Sequence, residues 1–558
     1  MNDMHGELPV TSPPNSQIEA SKSAVRRPRV HGRGHGAASG RSASASAVSA
    51  EAGPATVVSG MQWLVVLAAG AIAALASTPL WHDFSPWAGL VAALLAMTVL
   101  HMGYSCGSVV ALPHLAVIVC LAQYGIAPWG AYYYPANNPV YLIEDFAHYF
   151  SYAGPALLAI TLGWIASCFG LRPSGCPISE GRRAPVLVRE LDCLLWGGIA
   201  LKLAFGSAQL GGLSFLILLL ANLRFLAAIG LMLLGAPGWR WRIALLFVSE
   251  IILAVEATMF HELVLWTLGF FVTYLFVRRP RMPVFLTWLV LLCAGVFFLH
   301  DAKWQFRQGS ARATVFGEDI PLTKWNSPLL GGLCLVQSTT KALTGGYSDD
   351  SVGEMIVRFN QGWIIDRILH HVPSVEPYAR GRTIISAFEA AMLPRILAPN
   401  KQFAGGREFM QCFAGYTLTE GTSMNLGFGG ELYANFGYWG GILGCGLYAL
   451  VLGLGFRWVA RRAHASPIWW AILVYVGHWA LKAETDIGAV LNYIVKAAIV
   501  ACVAAMCLPA VRAELAGRPV TTSRPSRCGW EVKTAETRKC WHVSPSEELG
   551  AESRHIQR

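Results

Sequence analysis

The sequence predicts an all-α polytopic membrane protein with about twelve transmembrane helices and one large, partly helical outer loop. Three observations predict it. Of the 558 residues, 54% are hydrophobic and only 14% are charged, whereas a soluble domain carries roughly 25% charged residues. The apolar residues gather in runs of about 20, the length that crosses a bilayer as a helix. The connections between those runs also alternate in charge. One set holds Arg172, Arg182, Arg183 and Arg189, then Arg240 and Arg242, then Arg278, Arg279 and Arg281, then Arg457, Arg461 and Arg462. The alternate set holds Asp83, Glu144, Asp145, Glu262, Lys482, Glu484 and Asp486. Basic loops stay on the cytoplasmic side, so both termini are expected there, with an even number of spans. The net charge of +10 sits largely in these loops and in the tails. No nucleic-acid-binding signature accompanies it, and no nucleic-acid partner is expected.

In chain order, residues 1–58 are rich in Ser, Ala, Gly, Pro and Arg and nearly devoid of large apolar side chains. They predict a disordered, basic cytoplasmic tail. The first apolar run begins near Met61, too far in for an ordinary secretory signal, and reads as a retained helix. Nine spans are expected within 59–300, at 61–80, 86–101, 107–127, 152–171, 191–209, 212–236, 243–259, 262–277 and 282–300. Three more fall within 427–511, at 432–456, 466–481 and 488–510. Residues 512–558 are polar and predict a cytoplasmic tail. The thirteen cysteines contain no CxxC pair, which argues against a zinc site or a disulfide framework.

Residues 301–426 break the pattern. They form a connection far longer than two helices need, and parity puts them outside as a small folded cap. Cys334 and Cys412 lie in it, where an oxidising compartment would let them pair. Within it, VGEMIVRFNQGWIIDRILHH (352–371) repeats apolar residues at helical spacing and predicts one amphipathic helix, suited to a membrane surface. Arg358 and Asn360 sit on it, followed by Asp366, Arg367, His370 and His371. A solvated face carrying a Glu354–Arg358 pair fits the same residues.

A short helix over 383–393 follows, bracketed by turns. Arg380, Arg382, Arg395 and Lys401 concentrate around it. Arginine offers a planar fork for two phosphate oxygens and lysine a point charge. The composition leaves an anion site and an ordinary polar loop equally open. In SMNLGFGGELYANFGYWGG (423–441), Glu431 stands where the chain re-enters the membrane. A carboxylate there is expensive unless it is paired or functional. It reads as a general base, a partner for a loop cation, or a cap. Elsewhere, AYYYPANNPVYLIEDFAHYF (131–150) is an aromatic loop that fits sugar stacking or a membrane-interface belt. Lys202, Arg224 and Glu250 fall near mid-depth on three successive spans, as coupling groups or as structural ion pairs.

Arg358-Phe-Asn360, Gly381 within ARGRT, Pro394-Arg395, Pro399-Asn-Lys401 and GELYANFGYWG (430–440), in that order, resemble the bacterial O-antigen polymerase (oligosaccharide repeat-unit polymerase) family, which exopolysaccharide polymerases share. The resemblance covers about residues 345–445 and the general layout of helices, while 301–345 carries none of its motifs. It implies a GT-C-like fold and an inverting, metal-independent glycosyltransferase with no cofactor. Such an enzyme works on the periplasmic face of the bacterial inner membrane. Its substrate is an oligosaccharide on polyprenyl diphosphate, with the flippase and chain-length regulator of the same pathway as partners. It implies that Arg358, Arg395 and Lys401 bind the diphosphate, and Arg382 joins them by position. Asn360, Tyr433 and Asn435 would line the substrate. An acceptor hydroxyl needs a base, for which His370, His371, Glu389, Glu420 and Glu431 are candidates. An O-antigen-ligase-like transferase, and a transporter or flippase using Lys202, Arg224 and Glu250, are the competing expectations.

Overall fold

The computed structural model describes residues 58–518, apart from 81–85, 109–110, 136–137, 170, 172–184, 206–211, 258–259, 308–311, 316–317, 322–335, 337–338, 341–343, 345–348, 394–405, 420–422 and 464. Helices stand wherever the sequence predicts a span. In chain order they are α1 (Gly60–Ala76), α2 (Trp87–Tyr104), α3 (Ala111–Tyr133), α4 (Phe146–Cys168), α5 (Pro185–Phe205), α6 (Gly212–Leu233), α7 (Trp239–Ala257), α8 (His261–Arg278) and α9 (Met282–Arg307). After the long connection come α14 (Gly427–Arg462), α15 (Pro467–Gly477) and α16 (Ile487–Cys507), then a short α17 (Pro509–Leu515).

Six of these, α2, α3, α4, α6, α14 and α16, are long and apolar enough to cross a membrane. That makes the chain a membrane protein. α1 and α15 are apolar but shorter. α5 and α7 carry too many ionic side chains, among them Arg189, Glu190, Asp192 and Lys202 on the first and Arg240, Arg242 and Glu250 on the second.

The connection holds a small two-stranded antiparallel hairpin, β1 (Arg312–Val315) and β2 (Glu318–Pro321), within an otherwise all-helical fold. Four helices follow: α10 (Asp349–Phe359), α11 (Gly362–His371), α12 (Arg382–Met392) and α13 (Arg407–Ala414). The single helix expected over 352–371 is therefore two. The break has a partner. The Gln361 N–H donates to the Gln123 carbonyl at 3.2 Å, where α3 makes a π turn over Ala122–Ile126. A π turn leaves helix carbonyls out of their usual ladder, so one is available to a neighbour. Asn360 turns the chain, its Oδ1 accepting from the Gly362 N–H at 2.8 Å.

Glycines fix the central packing. α4 and α14 lie so close that a Cβ at Gly163 would collide with the Gly446 carbonyl oxygen, and one at Gly453 with the Ser167 hydroxyl. Small residues at a helix interface allow such approach in a membrane. The glycines at the start of α14 serve α11 in the same way. Gly430 faces the Ile368 side chain and Gly429 faces Tyr124 and Ile365. Met355, Trp363, Ile365 and Ile368 are buried. The apolar faces of α10 and α11 are thus covered by protein, which corrects their expected place on a membrane surface.

The mid-depth charges are paired. Arg224 donates from Nε and Nη2 to Glu250 Oε1 at 2.8 and 2.5 Å, with its guanidinium over the Phe225 ring. Lys202 does not join them. Its partner is Glu262, at 3.6 Å.

Candidate functional site

The site is built on a broken helix. At Gly437 the backbone takes φ 71° and ψ −165°, which interrupts α14. Only glycine adopts this region without strain. The interruption releases carbonyls that a continuous helix would use, and buried carbonyls need partners. The Ala434 carbonyl accepts from the Ala379 N–H at 2.9 Å, and the Asn435 carbonyl accepts from the Arg380 N–H at 3.0 Å. A loop ahead of α12 is therefore stitched along the break.

The Asn435 side chain completes the stitch. Its Oδ1 accepts from the Gly381 N–H at 2.9 Å. Its Nδ2 donates to Thr383 Oγ1 and to the Glu431 carbonyl, both at 2.7 Å. Arg380 and Gly381 are both left-handed, at φ 51° and 85°. For the arginine that costs roughly 1–2 kcal/mol, and the hydrogen bonds to α14 hold it. This backbone presents two exposed guanidinium side chains, Arg380 and Arg382. Arg382 is steered by a bond from its Nε to the Ala379 carbonyl at 3.3 Å.

Glu431 lies beneath them and is 1% exposed. Its Oε1 accepts from Thr383 Oγ1 at 2.7 Å, and its Oε2 accepts from the Ile487 N–H at 2.7 Å. The second bond satisfies a free N–H at the start of α16, where a carboxylate is favoured. One side chain so ties α12, α14 and α16 together. Of the three readings open to Glu431 in the sequence, the geometry is that of the cap. Asn435, also 1% exposed, is a bracket within the backbone. Tyr433 is buried too, its hydroxyl donating to the Val372 carbonyl at 3.3 Å while its ring meets Tyr152 and Tyr378 edge-on.

Arg358 is exposed in the last turn of α10, and Asn360 is fully buried as the turn-former. His370 is exposed at the end of α11. Its Nδ1 donates to the Asp366 carbonyl at 2.9 Å and lies 3.7 Å from Asp366 Oδ1. The ring of His148 meets it edge-on at 5.4 Å. Asp366 is 1% exposed and accepts from the Glu144 N–H through Oδ2 at 2.9 Å. Burial pushes its carboxyl up to about 6, against the pull of that N–H and of His370. His371 packs on the Gly415 turn, and Glu389 is exposed on α12. Arg395, Lys401, Glu420 and Cys334 lie outside the described residues; Cys412 is a free thiol.

Sequence reading missed Thr383 and Asp366 as ordering groups and put less weight on Arg380 than on Arg382. A signal for the first pair existed only in three dimensions. For Arg380 it was the following glycine, which marks a left-handed turn.

No protein-family model, curated protein or solved structure matches the chain.

Proposed function

We propose that this protein is a membrane glycosyltransferase that polymerises oligosaccharide repeat units carried on polyprenyl diphosphate into a surface polysaccharide, an O-antigen or an exopolysaccharide. In this reading the chain crosses the bacterial inner membrane about twelve times, has a GT-C-like arrangement, and keeps both termini in the cytoplasm. The segment 301–426 then faces the periplasm. The observation that carries the proposal is the pair of exposed arginines, Arg380 and Arg382, fixed on a loop whose N–H groups from Ala379 to Arg382 are all hydrogen-bonded beside the break in α14. Preorganised cations stabilise negative charge that develops in a transition state, and a departing lipid diphosphate develops it. Arg358 is a third exposed cation of the same segment. Arg395 and Lys401 complete the set that the resemblance implies.

In the reaction, an acceptor sugar hydroxyl attacks the anomeric carbon of the donor chain. The new C–O bond forms as the bond to diphosphate breaks, and polyprenyl diphosphate leaves with the electron pair. The hydroxyl proton passes to a base. His370 suits that role best among the candidates. Its Nδ1–H is engaged by the Asp366 carbonyl, so neutral imidazole keeps its lone pair on Nε2, on an exposed ring. Glu431 has both oxygens engaged. The transporter reading loses support because Arg224, Glu250, Lys202 and Glu262 are paired with one another.

The test is the glycan profile of cells whose only copy carries Arg382→Ala or His370→Ala. Loss of long polymer with a single repeat unit still attached supports the proposal. Loss of attachment of full-length chains would favour the ligase, and unchanged polymer would remove both.

A further inference from the structure

We infer that α12 is a membrane-surface helix, with its apolar face seated in one leaflet of the lipid bilayer. The inference does not depend on the polymerase reading. α12 is a two-faced helix. Thr383, Ala387 and Ala391 are buried, and Ala387 Cβ comes within 3.3 Å of where a Cβ on Gly488 of α16 would stand. The other face carries Ile385, Phe388 and Met392, which are 51–60% exposed. Large apolar side chains at i, i+3 and i+7 on an open face need a cover.

The occupant follows from continuity with α14. There Phe436, Trp439, Leu443, Leu447, Val451, Leu454 and Trp458 make one exposed stripe. The two tryptophans are 19 residues apart, about 28 Å along a helix. That matches the hydrocarbon core of a bilayer, about 30 Å thick, whose two borders tryptophan favours. Trp458 carries the Arg462 guanidinium stacked at 3.8 Å, as expected where aromatic and basic side chains meet head groups. Trp439 then marks the opposite border.

Phe436 precedes the Gly437 break, and its side chain lies against Gly440 beyond it, next to Trp439. It is the side chain nearest to Gly381, 3.7 Å from where a Cβ there would stand. Gly381 caps α12. The apolar face of α12 therefore begins beside Phe436, at the depth of Trp439, and Arg380 and Arg382 stand at its head-group edge. An amphipathic helix so placed lies in the interface with its apolar face buried by roughly 5–10 Å. The surface role that residues 352–371 display in sequence belongs instead to 382–392.

The test places an environment-sensitive fluorescent amino acid, genetically encoded, at position 385, 388 or 392 of the full-length protein, with position 374 as reference. Ser374 is exposed in the turn before α12. The proteins are reconstituted into phosphatidylethanolamine–phosphatidylglycerol vesicles with or without brominated acyl chains. Bromine should quench the three α12 positions at least about twofold more than position 374. Quenching no greater than at 374, with iodide in the buffer reaching the fluorophore, would overturn the inference. So would shielding from both quenchers, which would mean that a protein surface covers the helix.

Discussion

The chain holds its charges in two contrasting ways. In the helices α5 to α8, Arg224 is fully buried against Glu250, with two bonds to one carboxylate oxygen and a phenyl ring beneath. In the segment that meets α14, Arg380 and Arg382 are exposed, and it is their backbone N–H groups that are engaged. The first arrangement neutralises cations and leaves them nothing to bind. The second spends its hydrogen bonds on the main chain and leaves the guanidinium groups facing outward. The difference separates a charge neutralised inside the protein from one left exposed, which position in the sequence does not, because both kinds are arginines beside apolar residues.

Breaking the first arrangement should give the largest effect. Arg224→Ala leaves the Glu250 carboxylate buried and uncompensated, which costs about 3–5 kcal/mol, and folded protein in detergent extracts should fall sharply. The double change Arg224→Met, Glu250→Leu should restore the folded yield and keep polymer synthesis. A double variant that folds but makes no polymer would instead assign the pair a functional role.

Glu431 sharpens the comparison within the site. Glu431→Ala leaves Thr383 and the Ile487 N–H without their acceptor, at about 1–3 kcal/mol for each buried group. Melting temperature and polymer yield should fall together. A variant with unchanged melting temperature and no polymer would mark Glu431 as the base and displace His370.

Asp366 gives a pH-dependent version. Burial raises its carboxyl to about 6 in the folded protein, above the ordinary value near 4. The folded state therefore holds the proton more tightly than the unfolded state. The resulting stability is complete below about pH 4 and is lost as pH rises through about 6, by up to about 3 kcal/mol. Hydrogen exchange over α11 should quicken between about pH 4 and 6 beyond its intrinsic rise, and Asp366→Asn should remove the extra change. Thr383→Val removes the hydroxyl that both Glu431 Oε1 and Asn435 Nδ2 use, so melting temperature should fall by an amount comparable to Glu431→Ala, at about 1–3 kcal/mol for each buried group left unpaired.

Much of the helical framework is legible in the sequence because long apolar runs admit few other structures in a bilayer. The helices around Trp87–Tyr104, Phe146–Cys168 and Ile487–Cys507 show this. The break at Asn360–Gln361 is not legible. Phe359 and Trp363 keep helical spacing across it, and the carbonyl that ends the helix belongs to Gln123, far away in the chain. The site is legible in composition and not in role. Arg380, Arg382, Glu431 and Asn435 all stand out by residue type. Which of them face outward depends on bonds across 48 and 54 positions, Thr383 to Glu431 and Gly381 to Asn435. Periodicity carries no information about those bonds.

The central claim is that the arginines stitched over the Gly437 break bind the leaving diphosphate. The most direct test measures polymer formed by Arg380→Ala and Arg382→Ala variants at matched membrane levels and matched melting temperature. Losing a preorganised cation should lower the rate by about 100-fold in at least one variant, with Lys partially restoring it and no change in folding. Polymer at the unmodified level in both variants would contradict the account.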